Sequence, residues 1–176
     1  MTTEESLSFP QAIAITQALM IQISDNQLNE FQIEQKITSI IKDKNGGRGF
    51  FVAYLTSDGN LADTPSTGII NAFKSSISVV GELLVKNLAM SSAMVVAHSR
   101  NNDVESAQNS RQVCLRTSNL IRLVESKLIK DELLELHNTI QSGKGDYQIF
   151  LKRWDYDAEQ QQAIQNAINN VLSQKK

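Results

Sequence analysis

The stretch SISVVGELLVKNLAMSSAMVVAHSR, residues 76–100, decides the fold of this chain. Projected at 100° per residue, its apolar side chains lie nearly all round a helix, and its charged positions are Glu82, Lys86 and Arg100. At 1.5 Å per residue, one helix of this length extends ~37 Å, about the width of a small domain. The sequence therefore predicts a long helix that crosses the molecule and is enclosed on most sides by other helices.

The same stretch is too interrupted by charge to be predicted as a membrane span. Glu82 and Lys86 divide it, so uncharged sequence is continuous only from Asn87 to Ser99. A helix that crosses the hydrocarbon core needs ~20 predominantly apolar residues. We therefore expect the core helix of a soluble protein and no membrane partner.

Outward from this stretch, the two prolines mark helix starts and not breaks. Pro10 closely follows Ser8, which is a good N-cap residue, and Pro65 lies in a similar capping sequence. No proline interrupts residues 66–176, where apolar residues recur at helical spacing. The pattern predicts that the second half of the chain is a stack of helices.

The length and composition of the chain fit one domain. Its 176 residues with 41% hydrophobic content can bury one substantial core. We predict an all-α, single-domain bundle of about six or seven helices around the long central helix. Within this domain of residues 1–176, we expect an N-terminal helical pair over residues 1–45 and the main helical bundle over residues 64–176.

Two segments of the N-terminal half carry further expectations. Residues 24–27 have the spacing of a capping box and predict the start of a second helix, which the glycines of residues 45–47 then end. Residues 49–55 contain aromatic and β-branched side chains, and a turn sequence follows them. Because an isolated two-stranded hairpin is marginal in water, residues 50–62 form either a minor β-hairpin or a helical turn.

Charge and cysteine content point to the cytoplasm. The formal net charge of -2 at pH 7 gives no field that attracts nucleic acid or an acidic membrane. Cys114 is the only cysteine, so no intramolecular disulfide can form and a reducing compartment suits the chain. The first residues carry acidic and no basic side chains, which is unlike an export signal.

Side chains that bind metals or act as nucleophiles do not converge in the sequence. His98 and His137 lie on different predicted helices, and neither has a glutamate three residues before it. Cys114 lies in mid-helix at the edge of an apolar face, where a packed, inert thiol is expected. We therefore predict no metal site and no cofactor, and we expect a non-enzymatic protein.

A line of polar residues on the long helix is the first candidate site. Asn87, Ser91 and His98 share one side of this helix, at steps of four and seven residues. Buried polar groups need partners, so this line either bonds neighbouring helices together or lines a small cavity. In the second case, it is an internal polar site for a small molecule or for an enzyme's substrate.

Aromatic residues near the C-terminus form the second candidate site. They lie close together in the sequence and alternate with basic residues; they are Tyr147, Phe150, Trp154 and Tyr156. Such a cluster fills a core, anchors a protein interface or stacks on nucleic-acid bases. The acidic balance of the chain argues against nucleic acid, so core packing and a protein interface remain open.

Two arginines give a third candidate surface. Arg111 and Arg122 lie three helical turns apart on the polar side of a predicted helix, where they can dock an acidic patch or a small anion. Together these features favour a cytoplasmic protein-interaction or regulatory module that binds another protein or itself, a homodimer included. The alternative is a small-molecule-binding protein or an enzyme that uses the internal polar line.

Overall fold

The computed structural model describes residues 6–173, and every regular element in that range is an α-helix. The nine helices of the described chain are α1 (Phe9–Ser24), α2 (Glu30–Ile40), α3 (Lys44–Leu55), α4 (Thr67–Ser75), α5 (Ile77–Arg100), α6 (Val104–Val124), α7 (Lys127–Ser142), α8 (Gln148–Trp154) and α9 (Ala158–Ser173). The all-α prediction is confirmed, with more helices than the six or seven expected. The acidic first five residues, on which the expectation of no export signal rests, lie outside the described range.

The chain forms two compact units that divide within α5, between Leu83 and Leu84. The first unit contains α1 to α4 and the first turns of α5, and the second contains the rest of α5 and α6 to α9. In the first unit α1 packs on α3 and α2 packs on α4; in the second unit α9 packs on α6 and α7. The single-domain organisation, with a helical pair and a main bundle, stays a prediction.

The long helix is confirmed, since α5 runs unbroken over Ile77–Arg100. Side chains over residues 79–93 are buried or half-buried, as expected for an enclosed helix, whereas Met94 and the last turn are more open to solvent. By length and composition alone α5 is apolar enough to cross a membrane. Half of its most apolar window is buried within the protein, however, and burial of this kind is typical of a core helix in a soluble protein.

The second helix begins later than predicted. Asn29 caps α2 by accepting a hydrogen bond from the backbone N–H of Gln32 (2.9 Å), and the Gln32 side chain accepts one from the backbone N–H of Asn29 (3.0 Å). Ser24 is instead the last residue of α1, and the chain then turns through Asn26 at a φ of 55°. The prediction of a start at residues 24–27 is wrong because two capping patterns follow each other and the first lies in the turn.

The glycines that were predicted to end the second helix lie inside α3. Asp43 caps this helix, and its Oδ1 accepts a hydrogen bond from the backbone N–H of Gly46 (2.9 Å). Gly49 lies so close to α1 that a Cβ atom there would be 2.5 Å from the Cβ of Ala12 and 2.7 Å from the carbonyl oxygen of Phe9. The prediction for Gly46 and Gly47 is wrong because Asp43 caps a new helix at this point and both glycines belong to its first turn. Gly49, further along α3, allows the close approach of α1.

Residues 50–62 form no β-hairpin. Residues 50–55 complete α3, and the segment that follows is made of turns. Phe50 stacks on Tyr54 with ring centroids 5.2 Å apart, and Phe73 of α4 meets Phe50 edge-on at 5.7 Å. Val52, on the opposite side, is exposed. The helical alternative is therefore correct, because an aromatic face at helical spacing buries more apolar surface than a lone pair of strands.

Helix α4 receives its cap from a neighbouring helix. Among the described residues, the N-cap residue Ser66 makes no side-chain capping bond. Glu30 of α2 supplies the acceptor, since its Oε2 lies 2.5 Å from the backbone nitrogen of Gly68. A carboxylate at a helix N-terminus satisfies a free N–H group and meets the positive end of the helix dipole. This contact fixes α4 against α2.

Local capping signals set the helix ends in the second unit. Asp103 caps α6 by accepting a hydrogen bond from the backbone N–H of Ser106 (3.1 Å). Gly143 ends α7 in the left-handed conformation, with a φ of 70°. At the start of α9, Asp157 and Gln160 form a reciprocal pair of side-chain-to-backbone bonds, which is the capping-box arrangement. These signals are local, so the sequence alone was enough to find them.

Arg100 ties the end of α5 to the start of α9. Its guanidinium donates hydrogen bonds to Asp157 (Nη1 to Oδ2, 2.5 Å) and to Glu159 (Nε to Oε2, 3.0 Å). The hydrogen bond from Arg100 is the largest cause that lowers the pKa of Asp157 to about 2. All three side chains are exposed, so water screens their attraction and the network mainly sets the geometry of the two helix ends.

Candidate interaction surface

The aromatic residues predicted as one surface divide between the inside and the outside of the second unit. Tyr147 and Tyr156 are buried, and Phe150 of α8 lies between them. The Phe150 ring meets Tyr147 edge-on at 6.2 Å between centroids and Tyr156 at 6.3 Å. Of the three predicted binding residues of this group, Tyr156 is buried and Phe150 is half-buried, and with Tyr147 they form what we call the aromatic floor.

Polar contacts hold this aromatic floor in place. The hydroxyl of Tyr147 donates a hydrogen bond to Oε2 of Glu132 on α7 (2.5 Å). The ammonium group of Lys86 on α5 lies 5.8 Å from the centre of the Phe150 ring, within the range of a cation–π contact. Burial raises the pKa of Tyr156 to about 12, so its hydroxyl stays protonated. The floor therefore joins α8 to α5 and to α7.

Backbone conformation brackets α8 on both sides. Before it, Gly143 and Gly145 have φ angles of 70° and 143°, and a Cβ at Gly145 would collide with Thr139 of α7. After it, Asp155 ends the helix in the left-handed conformation at a φ of 48°. L-residues with side chains rarely adopt positive φ angles, so these positions fix the direction in which the chain enters and leaves α8.

The outer side of α8 carries the exposed residues. Ile149 is 83% exposed and Trp154 is 46% exposed, and the basic residues Lys152 and Arg153 lie between them and are exposed as well. Ile149, Lys152 and Arg153 are three and four positions apart, so they share one helix face, whereas Trp154 is four positions after Phe150 and is exposed at the C-terminal end of α8. We call these four residues the α8 face. It combines apolar and cationic side chains on a short helix whose other side is held by the aromatic floor.

The arginine surface lies on α6. Arg111 is exposed and Arg122 is half-buried. They lie on the same side of α6 as Val104 and Leu115, two exposed apolar residues, and Leu115 is 70% exposed. The Nε atom of Arg122 is buried and makes no hydrogen bond within the described part of the chain. The structure thus adds two exposed apolar residues to the predicted arginine pair and makes this side of α6 a mixed stripe.

One buried charge on α6 was not singled out by the sequence. Arg116 is only 2% exposed and does have interaction partners in the structure. A guanidinium stays charged at all ordinary pH values, so its burial requires compensating contacts. The signal was present, because Val113 and Leu120, which lie three and four positions away on the same side, are apolar. A residue at the edge of an apolar helix face is easily assigned to the solvent.

One residue of the polar line on α5, Ser91, forms a hydrogen bond within its own helix. Ser91 is buried, and its hydroxyl donates a hydrogen bond to the backbone carbonyl of Asn87 (2.6 Å). His98 is half-buried, and its Nδ1 lies 3.7 Å from Oδ2 of Asp103 at the start of α6. Burial raises the pKa of the Cys114 thiol, and hydrogen bonds with Ser91 and Ser118 oppose this only partly. Burial therefore favours the protonated form of this thiol.

Of the comparisons with known proteins, only the one with protein families finds a match. No curated protein and no solved structure matches it. Within residues 6–173, no three His, Cys, Asp or Glu side chains are grouped so that they could hold a metal ion. A family match covers residues 8–171, which is most of the chain and most of each compact unit. The chain belongs to the family described as Uncharacterised conserved protein UCP020893.

Proposed function

We propose that this protein is a non-enzymatic, cytoplasmic helical module that binds another protein, or a second copy of itself, through the α8 face. The observation that carries the proposal is the contrast between Phe150, which packs on buried tyrosines, and the exposed apolar residues of the same helix. Phe150 is fixed in the aromatic floor, while Ile149 and Trp154 present apolar surface to solvent. Exposed apolar side chains next to cationic ones offer a surface on which a protein partner can bury apolar area.

The residue types on the α8 face suit a protein partner. Tryptophan and arginine are the residues most enriched among those that dominate binding energy at protein interfaces. The face is also rigid, because the floor and the left-handed residues on either side hold α8 in one position. Binding to a preorganised surface costs less conformational entropy than binding to a mobile one. The mixed stripe of Arg111, Leu115 and Arg122 provides a further surface for an acidic partner.

Truncation of Trp154 tests the proposal. Removal of a dominant interface residue costs ~2 kcal/mol or more, which corresponds to a ~30-fold loss of affinity. We expect Trp154→Ala to weaken binding by about this factor while the fold is retained, because nearly half of this side chain is already in water. Leu134→Ala on α7 is the matched control, since Leu134 is 48% exposed and lies outside the α8 face.

Two measurements separate the possible partners. Light scattering after size-exclusion chromatography reports self-association of the purified chain and of each variant. Affinity capture from the native host, quantified by mass spectrometry, reports other partners that Trp154→Ala loses and Leu134→Ala keeps. Equal behaviour of the two variants in both measurements contradicts the proposal. If the capture instead yields nucleic acid, and its binding weakens steeply with added salt, the cationic residues of α8 bind that partner.

A further inference from the structure

The mixed stripe on α6 carries apolar and cationic side chains in a straight line. Its four residues, Val104, Arg111, Leu115 and Arg122, follow one another at steps of seven, four and seven positions. At about 100° per residue they lie within ~20° of one line along the helix. Val104 is 65% exposed and Leu115 is 70% exposed. At 1.5 Å per residue the stripe extends ~27 Å, which is five turns of accessible surface.

The charge of the mixed stripe is positive along its whole length. Within residues 6–173, neither Arg111 nor Arg122 forms an ion pair. Glu105, the acidic residue of α6, lies about 100° round the helix from the line. Glu125 follows the last turn and is in the left-handed conformation. The two guanidinium groups therefore present charge that the described part of the chain does not neutralise by direct pairing.

The distance between the two arginines sets the spacing of charge on a partner. They are eleven positions apart, which is ~16 Å along α6. Long side chains on a helix lean towards its N-terminus, so both guanidinium groups shift in the same direction and stay about this far apart. A charge-assisted hydrogen bond spans only ~2.8 Å. A partner that contacts both arginines therefore carries two acidic groups about three helical turns apart.

The backbone of α6 determines the form of partner that the mixed stripe can hold. Its N–H and C=O groups bond within the helix, and residues 6–173 contain no strand with a free edge. An extended peptide binds largely through main-chain hydrogen bonds to such an edge, which α6 does not offer. A second helix satisfies its own backbone and can pack along a straight stripe at an angle of ~20°.

Charge also distinguishes another protein from a second copy of this chain. Antiparallel packing of two mixed stripes places Arg111 opposite Leu115 and Arg122 opposite Val104, with four guanidinium groups and no carboxylate in the line. Parallel packing places each arginine opposite its own copy. Like charges across an interface oppose association, so the occupant has to bring the acidic groups itself.

We propose that the mixed stripe docks an amphipathic helix of another protein, which carries aliphatic side chains and two carboxylates about three turns apart on one face. The aliphatic side chains cover Val104 and Leu115, where burial from water drives binding. The carboxylates accept hydrogen bonds from the guanidinium groups of Arg111 and Arg122. The proposal rests on the proposed function as an interaction module, and it names the class of partner for a surface separate from the α8 face.

Binding of labelled helical peptides to the full chain, measured by fluorescence anisotropy, tests this surface. The probes are peptides of ~20 residues in an alanine–glutamine host, with two leucines and two glutamates placed to face the mixed stripe. One peptide is written for antiparallel packing and one for parallel packing. In a comparison version of each, lysine replaces the glutamate that faces Arg111. We expect one glutamate peptide to bind about 5-fold more tightly than its lysine version, because only the glutamate complements the arginine.

Substitutions on α6 locate the peptide on the protein. Arg111→Glu is expected to reverse the preference, so that this variant binds the lysine version about 5-fold more tightly than the glutamate version. Lys130→Glu on α7 is the matched control, since this exposed lysine lies outside both surfaces and its reversal should keep the wild-type preference. Leu115→Ala is expected to weaken the glutamate peptide about 5-fold by removing apolar contact area. Circular dichroism verifies that each variant is folded.

Several results would overturn the proposal. They are failure of both glutamate peptides to bind, equal binding of the glutamate and lysine versions, and identical behaviour of Arg111→Glu and Lys130→Glu. A loss of peptide binding in Trp154→Ala, with none in Arg111→Glu, would move the peptide to the α8 face and would overturn this proposal while the proposed function stands. Tighter binding of a single-stranded DNA oligonucleotide than of either peptide, lost in Arg111→Glu, would assign the stripe to nucleic acid and would also overturn it.

Discussion

A single added methyl group at Gly49 tests how closely α1 and α3 approach. A Cβ at this position would lie 2.5 Å from the Cβ of Ala12, 2.7 Å from the carbonyl oxygen of Phe9 and 3.0 Å from the backbone nitrogen of Ile13. Non-bonded carbon atoms attract each other best at ~3.5–4.0 Å, so α1 must retreat by about 1 Å. Two of the three contacted atoms belong to the backbone, and no side-chain rotation relieves them.

Two opposing free energies set the size of the effect of Gly49→Ala. Alanine favours a helix over glycine by ~1 kcal/mol, which stabilises the variant. Overpacking of a tight contact costs ~1–3 kcal/mol, and backbone contacts place this case at the upper end. We therefore expect a net loss of ~1–2 kcal/mol in the free energy of unfolding. For a chain of this size, this corresponds to a fall of ~2–8 °C in the thermal midpoint.

Gly47→Ala is the matched control, because Gly47 lies in the same helix and gains the same helix preference. Its Cβ would meet only the end of the Leu83 side chain, at 2.7 Å, and that of Val79, at 3.2 Å. These side chains can move aside, so this variant should be as stable as the wild type within ~0.5 kcal/mol, or more stable. Urea denaturation followed by circular dichroism measures both variants. A Gly49→Ala variant as stable as Gly47→Ala would refute the close approach of the two helices.

Two further predictions concern ionic contacts. Glu30→Ala removes the carboxylate that caps α4 at Gly68, so urea denaturation should show a loss of ~1–2 kcal/mol. Glu34→Ala, which removes a carboxylate that caps no helix, should lose less than ~0.5 kcal/mol, and equal losses would count against the cap. The pKa of Asp157 is lowered by Arg100 from 3.8 to about 2, so its charge stabilises the fold above about pH 4 and ceases to do so as the pH falls towards 2. Asp157→Asn removes the charge and keeps the cap. The thermal midpoint of the wild type should exceed that of this variant above about pH 4, and the two midpoints should become equal as the pH falls towards 2. A difference that does not change with pH would contradict this prediction.

Helix boundaries set by local chemistry could be predicted from the sequence. The start of α1 at Ser8, the start of α6 after Asp103 and the end of α7 at Gly143 each depend on a side chain or glycine that acts within one turn. The course of α5 was equally predictable, because its apolar residues exclude most other structures. Such signals need no knowledge of the rest of the fold.

Features that depend on distant residues could not be predicted in this way. Gly49 begins a segment that the sequence leaves open between a strand and a helical turn, and only the position of α1 shows why glycine is required there inside α3. The cap of α4 is supplied by Glu30, which lies 38 positions earlier in the chain. In neither case does the local sequence contain the partner, so the pattern was assigned to its commonest local meaning.

The candidate site was predicted only in part, for a related reason. The sequence places Phe150, Trp154 and Tyr156 close together, but it does not say which side chains face inward. The short helix α8 spans fewer than two turns of clear periodicity, and the left-handed Asp155 then redirects the chain. Arg116 was missed because long charged side chains are almost always placed in solvent, and a buried one departs from this rule.

The separation of α8 into an anchored side and a free side has an evolutionary consequence. Substitution of exposed side chains such as Ile149 and Lys152 usually changes stability by no more than ~0.5 kcal/mol, whereas loss of a buried aromatic residue such as Tyr147 costs several times as much. Substitutions can therefore accumulate at the exposed residues of α8 without a large loss in the stability of the fold. Descendants of one ancestral gene can acquire new recognition preferences at these positions and inherit the architecture intact.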